Sequence, residues 1–73
     1  MALAIAAGPL SVAGFVDEML AAAVRAGAND VHIEPYADGA RLCYRLDGVL
    51  APVETNGYLA RRYAAVVLSL IHI

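Results

Sequence analysis

The sequence has no tryptophan, no lysine, one phenylalanine and one cysteine in 73 residues. Each scarcity excludes something. Without lysine, the Gly-rich loop ending in Lys-Ser or Lys-Thr that cradles nucleotide phosphates cannot be built, so this chain alone cannot hydrolyse nucleotides by that route. A single cysteine, Cys43, closes no intramolecular disulfide and rules out a multi-cysteine zinc site, which fits a reducing compartment. Five arginines against seven acidic residues leave a net charge of -2. That balance lacks the dense cationic surface of non-specific nucleic-acid binding, so no nucleic-acid partner is expected. Long apolar runs are also missing. Asp17, Glu18, Arg25 and later charges interrupt every stretch approaching the roughly 18 to 20 residues of a spanning helix. The apolar start, Met1 to Ala7, has no basic residues before it and meets Gly8-Pro9 too soon for a signal peptide. Direct membrane insertion is not expected.

What is present is alanine. Sixteen of them make up much of the 62% hydrophobic content, so one small domain with a thin core is the most this chain supports. Val12, Phe15, Val16, Met19, Leu20, Ala23 and Val24 follow the three-and-four spacing of one helical face, which predicts a helix over about 10–26. Pro9 or Ser11 can begin it and Gly27 can close it in the left-handed conformation. The period then changes to two. Val31, Ile33 and Pro35 alternate with His32, Glu34 and Tyr36, and Leu42, Tyr44 and Leu46 alternate with Arg41, Cys43 and Arg45, predicting two strands.

Asp38-Gly39 reads as the two-residue turn of a hairpin in which Ala37 faces Ala40. That register pairs Val31 with Leu46, Ile33 with Tyr44 and Pro35 with Leu42 on an apolar face. His32 pairs with Arg45, Glu34 with Cys43 and Tyr36 with Arg41 on a polar one. Asp47-Gly48 is a second turn signal, leading to a short third strand over Val49 to Val53 that Pro52 marks as an edge. Thr55-Asn56-Gly57 breaks the chain, and Leu59, Tyr63, Val66 and Val67 predict a second helix with Arg61 and Arg62 on its wet side. The expected fold is α+β: helix, antiparallel hairpin, short third strand and second helix, with the first helix on the apolar sheet face.

The chemistry legible in these residues is sparse. Cys43 and His32 formally allow a nucleophile pair, with no third group to orient it. His32 and Glu34 share a strand face and could touch a metal, but two ligands make a weak site. A solvated polar face is the simpler account of both.

Residues 28–36, Ala-Asn-Asp-Val-His-Ile-Glu-Pro-Tyr, and 41–50, Arg-Leu-Cys-Tyr-Arg-Leu-Asp-Gly-Val-Leu, carry a further signal. Together with the helix before them they resemble the type II secretion and type IV pilus assembly ATPase family. Its pattern runs helix, small-residue turn, an A-S-D-I-H-I-E-P strand and a V-R-Y-R-I-D-G-V-L strand. Asp30, His32, Glu34, Arg45, Asp47 and Gly48 occupy pattern positions. Asn29 replaces the usual serine, and Cys43 replaces the first arginine of the R-Y-R element. The resemblance implies that residues 10–67 are the first part of an N-terminal PAS-like domain; the apolar run before Gly8-Pro9 makes 1–9 a poorly ordered lead-in, and 68–73, which read like a translated sequencing adapter, are expected to be an adapter-derived or truncated tail. It implies an interdomain and subunit-contact module of a hexameric ATPase, whose ATP and Mg belong to a motor domain outside these residues. By the same resemblance, Arg45, and less so Arg41, would approach nucleotide, and inner-membrane platform proteins would be partners of a cytoplasmic, membrane-peripheral parent. The competing reading is a stand-alone PAS-like interaction or sensory module, with a small metal-binding protein third.

Overall fold

The computed structural model describes residues 3–5, 11–37 and 39–71. Among these residues the chain forms strand β1 (Leu3–Ala4), helix α1 (Val12–Ala26), strands β2 (Asp30–Tyr36), β3 (Gly39–Leu46) and β4 (Val49–Glu54), and helix α2 (Tyr58–Ile71). The fold is α+β, with a mixed four-stranded sheet in the order β1-β4-β3-β2.

Local chemistry accounts for the ends of α1. Ser11 is its N-cap and accepts a hydrogen bond from the Gly14 amide at 3.0 Å, satisfying one of the orphan donors of the first turn. At the other end Gly27 adopts φ 74°, and the amides of Gly27 and Ala28 return to the carbonyls of Val24 and Ala23. That double return is a Schellman closure, which needs a residue free to enter the left-handed region. The apolar stripe of α1 is narrower than its spacing suggests. Phe15, Val16, Met19 and Ala23 are buried, but Leu20 and Val24 are exposed, because α1 meets the rest of the molecule along one flank only.

The hairpin keeps its predicted faces and changes its register. β2 and β3 pair Asp30 with Arg45, His32 with Cys43, Glu34 with Arg41 and Tyr36 with Gly39, two residues away from the expected alignment. The strands therefore close around residues 37–38 rather than 38–39; Asp38 itself lies outside the described residues. A two-residue slide preserves which side chains share a face, so periodicity alone is blind to it. Gly39, at φ 154°, closes the hairpin in a conformation that side-chain-bearing residues rarely adopt, and lies against Ala60 of α2.

The second turn is as expected. Asp47 and Gly48 have φ of 51° and 82°, the paired positive angles of a two-residue hairpin loop, and join Leu46 to Val49 across the turn. β4 is not an edge. Leu3–Ala4, placed by the sequence reading in an irregular lead-in, pairs in parallel with Val53 and Glu54, and Ile5 beside it is buried. Pro52 falls one residue short of that paired stretch, so its missing amide costs β1 nothing.

Both helices cover one face of the sheet. Leu42 and Tyr44 of β3, Val53 of β4 and Ile5 meet Phe15, Val16, Met19 and Ala23 of α1 and Tyr58, Leu59 and Val66 of α2 in one core. Phe15 stacks on Tyr58 with ring centroids 4.4 Å apart and planes 19° from parallel. α2 is interrupted at Arg62 (φ −121°, ψ 21°) and continues to Ile71, with Leu70 against the core, so it includes most of the segment read as a tail.

Tyr44 ties the layers together. Its buried hydroxyl donates to the Met19 carbonyl at 2.6 Å, and burial, reinforced by Glu18, raises its pKa above the ordinary 10.0. In the unfolded chain this phenol ionises first, so the folded state holds its proton to higher pH. The contribution of this group to stability should be level below pH 10 and fall as the pH rises through the interval between the two pKa values. Urea titrations at rising pH should show this loss in the wild type, and Tyr44→Phe should reduce it, leaving the share of Tyr36, whose pKa is also raised. The same variant removes the buried hydrogen bond to the Met19 carbonyl, lowering neutral-pH stability by about 0.5–1.5 kcal/mol.

Candidate functional site

The face of the sheet turned away from the helices carries nearly all the polar residues singled out in the sequence. β2 contributes Asp30, His32, Glu34 and Tyr36, the central strand β3 contributes Arg41, Cys43 and Arg45, and β4 contributes Leu50 opposite Arg45 and Pro52 opposite Cys43. β3 supplies the middle row because it has partners on both sides. That position explains why Cys43 is buried on the polar face: flanking strands cover it laterally where no helix does.

Arg45 is held by Asp30, with Nε 3.1 Å from the carboxylate, and both side chains remain substantially exposed. The register reading had put His32 opposite Arg45. Instead His32 faces Cys43, and the pair that positions Arg45 is an ion pair with another residue of the same family-like pattern, Asp30. Exposed pairs of this kind contribute about 0–1 kcal/mol, so the guanidinium is oriented without being locked. Asp30→Asn should therefore change thermal stability by no more than about 4–8 °C, read by circular-dichroism melting.

Arg41 lies over the Tyr36 ring, 5.0 Å from its centroid. The Tyr36 hydroxyl donates to Glu34 at 2.9 Å, and this carboxylate bond is the main reason the Tyr36 pKa is raised. Glu34 faces Arg41 in the ladder, not Cys43 as the expected register had it. An arginine at position 43 would accordingly face His32 directly, with Glu34 diagonal to it.

The structure thus brings His32 and Cys43 to directly opposite positions and places Asp47 and Gly48 in the β3–β4 turn, where they determine backbone geometry. Among the described residues, no three His, Cys, Asp or Glu side chains converge as metal ligands, and no helix is long and apolar enough to cross a membrane. Where β4 ends and α2 begins, an open cleft of about 550 Å³ is lined by Arg41, Pro52, Glu54, Thr55, Gly57 and Ala60 among others. Sequence reading missed it, because its walls come from β1, β3, β4 and α2 and no local spacing announces such a meeting. Its charged lining residues, Arg41 and Glu54, carry opposite signs, and Glu54 accepts a hydrogen bond from the Asn56 amide at 2.6 Å.

In chemical terms this face offers two planar cations on a rigid strand, each steadied by a weak neighbour. It can orient an anionic group or an opposing protein surface. No protein-family model matches the chain. No solved structure matches it either. Among curated proteins it is similar to the type IV pilus assembly ATPase PilB of Acinetobacter baylyi, at 42% identity over 41 residues, which is 56% of this chain and 7% of that protein. The chain thus aligns with a small part of a much longer relative.

Proposed function

We propose that this chain is part of the N-terminal region of a bacterial assembly ATPase of the type IV pilus or type II secretion kind. In this reading it is an interdomain and subunit-contact module, and ATP hydrolysis belongs to a motor domain elsewhere in the parent. The observation that carries the proposal is the 42% identity to the pilus assembly ATPase. The sheet geometry supports it: pattern residues Asp30 and Arg45 pair with each other, and Asp47 and Gly48 form the tight turn that their backbone freedom suits.

Arg45 is the nucleotide-approaching residue under this reading. Its partner Asp30 is exposed, so a phosphate presented by a neighbouring domain can replace the carboxylate at small cost and gain a bidentate partner. Arg41, resting on Tyr36, is the lesser candidate. The PAS-like character of the domain, a hexameric parent, its Mg, its platform-protein partners and its place beside the inner membrane belong to the same proposal.

Sequencing the source locus past codon 73 tests it. An open reading frame continuing in frame to a Gly-rich Lys-Ser or Lys-Thr loop is the expected result. A genuine stop codon directly after Ile73 would overturn the proposal and favour a self-standing interaction module.

A further inference from the structure

The chain has two asparagines, and the fold leaves them in different chemical circumstances. Asn29 stands before Asp30, which opens β2, is paired with Arg45 in the ladder and carries a side chain beside its backbone nitrogen. Asn56 stands before Gly57 in the exposed turn that joins β4 to α2. Both turn residues have positive φ, 54° and 77°, a conformation that asparagine and glycine tolerate.

The hydrogen bonds of this turn pass around one group. The Asn56 amide donates to Glu54 at 2.6 Å, the Tyr58 amide to the Thr55 carbonyl at 3.0 Å, and the Arg61 amide to the Gly57 carbonyl at 3.1 Å. Among the described residues nothing accepts from the Gly57 N–H. Gly57 also has no side chain to shield that nitrogen. The Arg61 guanidinium lies where one would project, 2.8 Å from an added β-carbon, and is 3.5 Å from the Asn56 carbonyl oxygen. A positive charge beside that oxygen favours the anion left when the Gly57 nitrogen gives up its proton. A carboxamide, an uncovered backbone nitrogen next in the chain and a cation beside their shared peptide are the parts of an intramolecular acyl transfer.

We propose that Asn56-Gly57 is a site of spontaneous deamidation in the folded protein. The Gly57 nitrogen loses its proton to solvent and attacks Asn56 Cγ; the N–Cγ bond forms, the Cγ–Nδ2 bond breaks, and ammonia leaves with a proton taken from water. Water then opens the resulting succinimide at either carbonyl, giving aspartate or isoaspartate. The balance is one water consumed and one ammonia released, with no other reagent. Surface turns open locally at small cost, so the nitrogen can reach Cγ without global unfolding. Isoaspartate adds an atom to the main chain between Thr55 and Tyr58, whose hydrogen bond starts α2, and a negative charge next to Glu54 and Arg61. This stands independently of the assembly-ATPase reading.

The test follows the intact 73-residue chain for several days in mildly acidic and mildly alkaline buffer, with and without denaturing urea, by mass spectrometry of tryptic peptides. The peptide 46–61 should gain the mass difference between a carboxamide and a carboxyl group, faster in alkali, and should become a substrate for isoaspartyl methyltransferase. The peptide 26–41, which holds Asn29, should lag far behind. The native rate should lie no more than about tenfold below the rate in urea. Gly57→Ala should slow the reaction at least about tenfold in urea too, where folding plays no part. No mass gain in 46–61, equal gains at both asparagines, a native rate below that bound, aspartate without isoaspartate, or indifference to Gly57→Ala would each overturn the proposal.

Discussion

Phe15→Ala should unfold this protein at ambient temperature, or nearly so. Phe15 is completely buried, is the single phenylalanine of the chain, and stacks on Tyr58 to join the two helices. Truncating a buried phenylalanine costs about 3–5 kcal/mol, part transfer free energy and part the cavity left behind. Loss of the aromatic pair lies within that cost. A domain of this size commonly has no more than about 5 kcal/mol in total. Urea denaturation followed by far-ultraviolet circular dichroism is the measurement. Phe15→Leu, which keeps most of the volume, should remain folded with a midpoint between wild type and Phe15→Ala. A stability loss below about 1 kcal/mol for the alanine variant would mean that the helices are not joined at this stack.

Gly39→Ala should be damaging out of proportion to the single methyl that it adds. At φ 154° a β-carbon is strained by the backbone alone, and here it would also lie 3.2 Å from the Ala60 methyl. Strain of this kind costs about 1–3 kcal/mol, and separating α2 from the hairpin end adds to it. For a domain of this length that corresponds to a melting point lower by roughly 4–8 °C per kcal/mol. Gly48→Ala is the matched control. Gly48 also has positive φ, 82°, but nothing lies within 4 Å of its added β-carbon, so that variant carries backbone strain alone and should melt higher than Gly39→Ala. The comparison also tests the register, because the close approach to Ala60 exists only if Gly39 closes the hairpin opposite Tyr36. Equal losses for the two variants would count against that alignment.

The hairpin shows where sequence reading succeeds and where it stops. Alternation placed His32, Glu34, Arg41, Cys43 and Arg45 on one face and Leu42 and Tyr44 on the other, as the structure has them. It could not choose between registers two residues apart, which present identical faces. The choice depends on Gly39 meeting Ala60 and on Asp30 meeting Arg45, contacts that sit at opposite ends of the pair. The pairings proposed for His32 with Arg45 and Glu34 with Cys43 failed for this reason alone.

The first helix carries the same lesson in another form. Apolar spacing identified α1 and its caps, because both depend on residues within a few positions of each other. It also assigned Leu20 and Val24 to the buried stripe. How wide a stripe is covered depends on what lies beside the helix, and α1 has α2 on one flank and water on the other.

By itself, then, the sequence determined the type and order of α1, the three strands after it and α2, the Gly27 close of α1, the Asp47-Gly48 turn and the sorting of side chains between sheet faces, all of which rest on interactions spanning a few residues. Only the tertiary structure decided the hairpin register, the parallel addition of Leu3–Ala4 to β4 and the burial of Cys43 among polar neighbours. Each of these joins segments distant in the chain, and a periodicity of two or 3.6 holds no record of which distant segment will arrive.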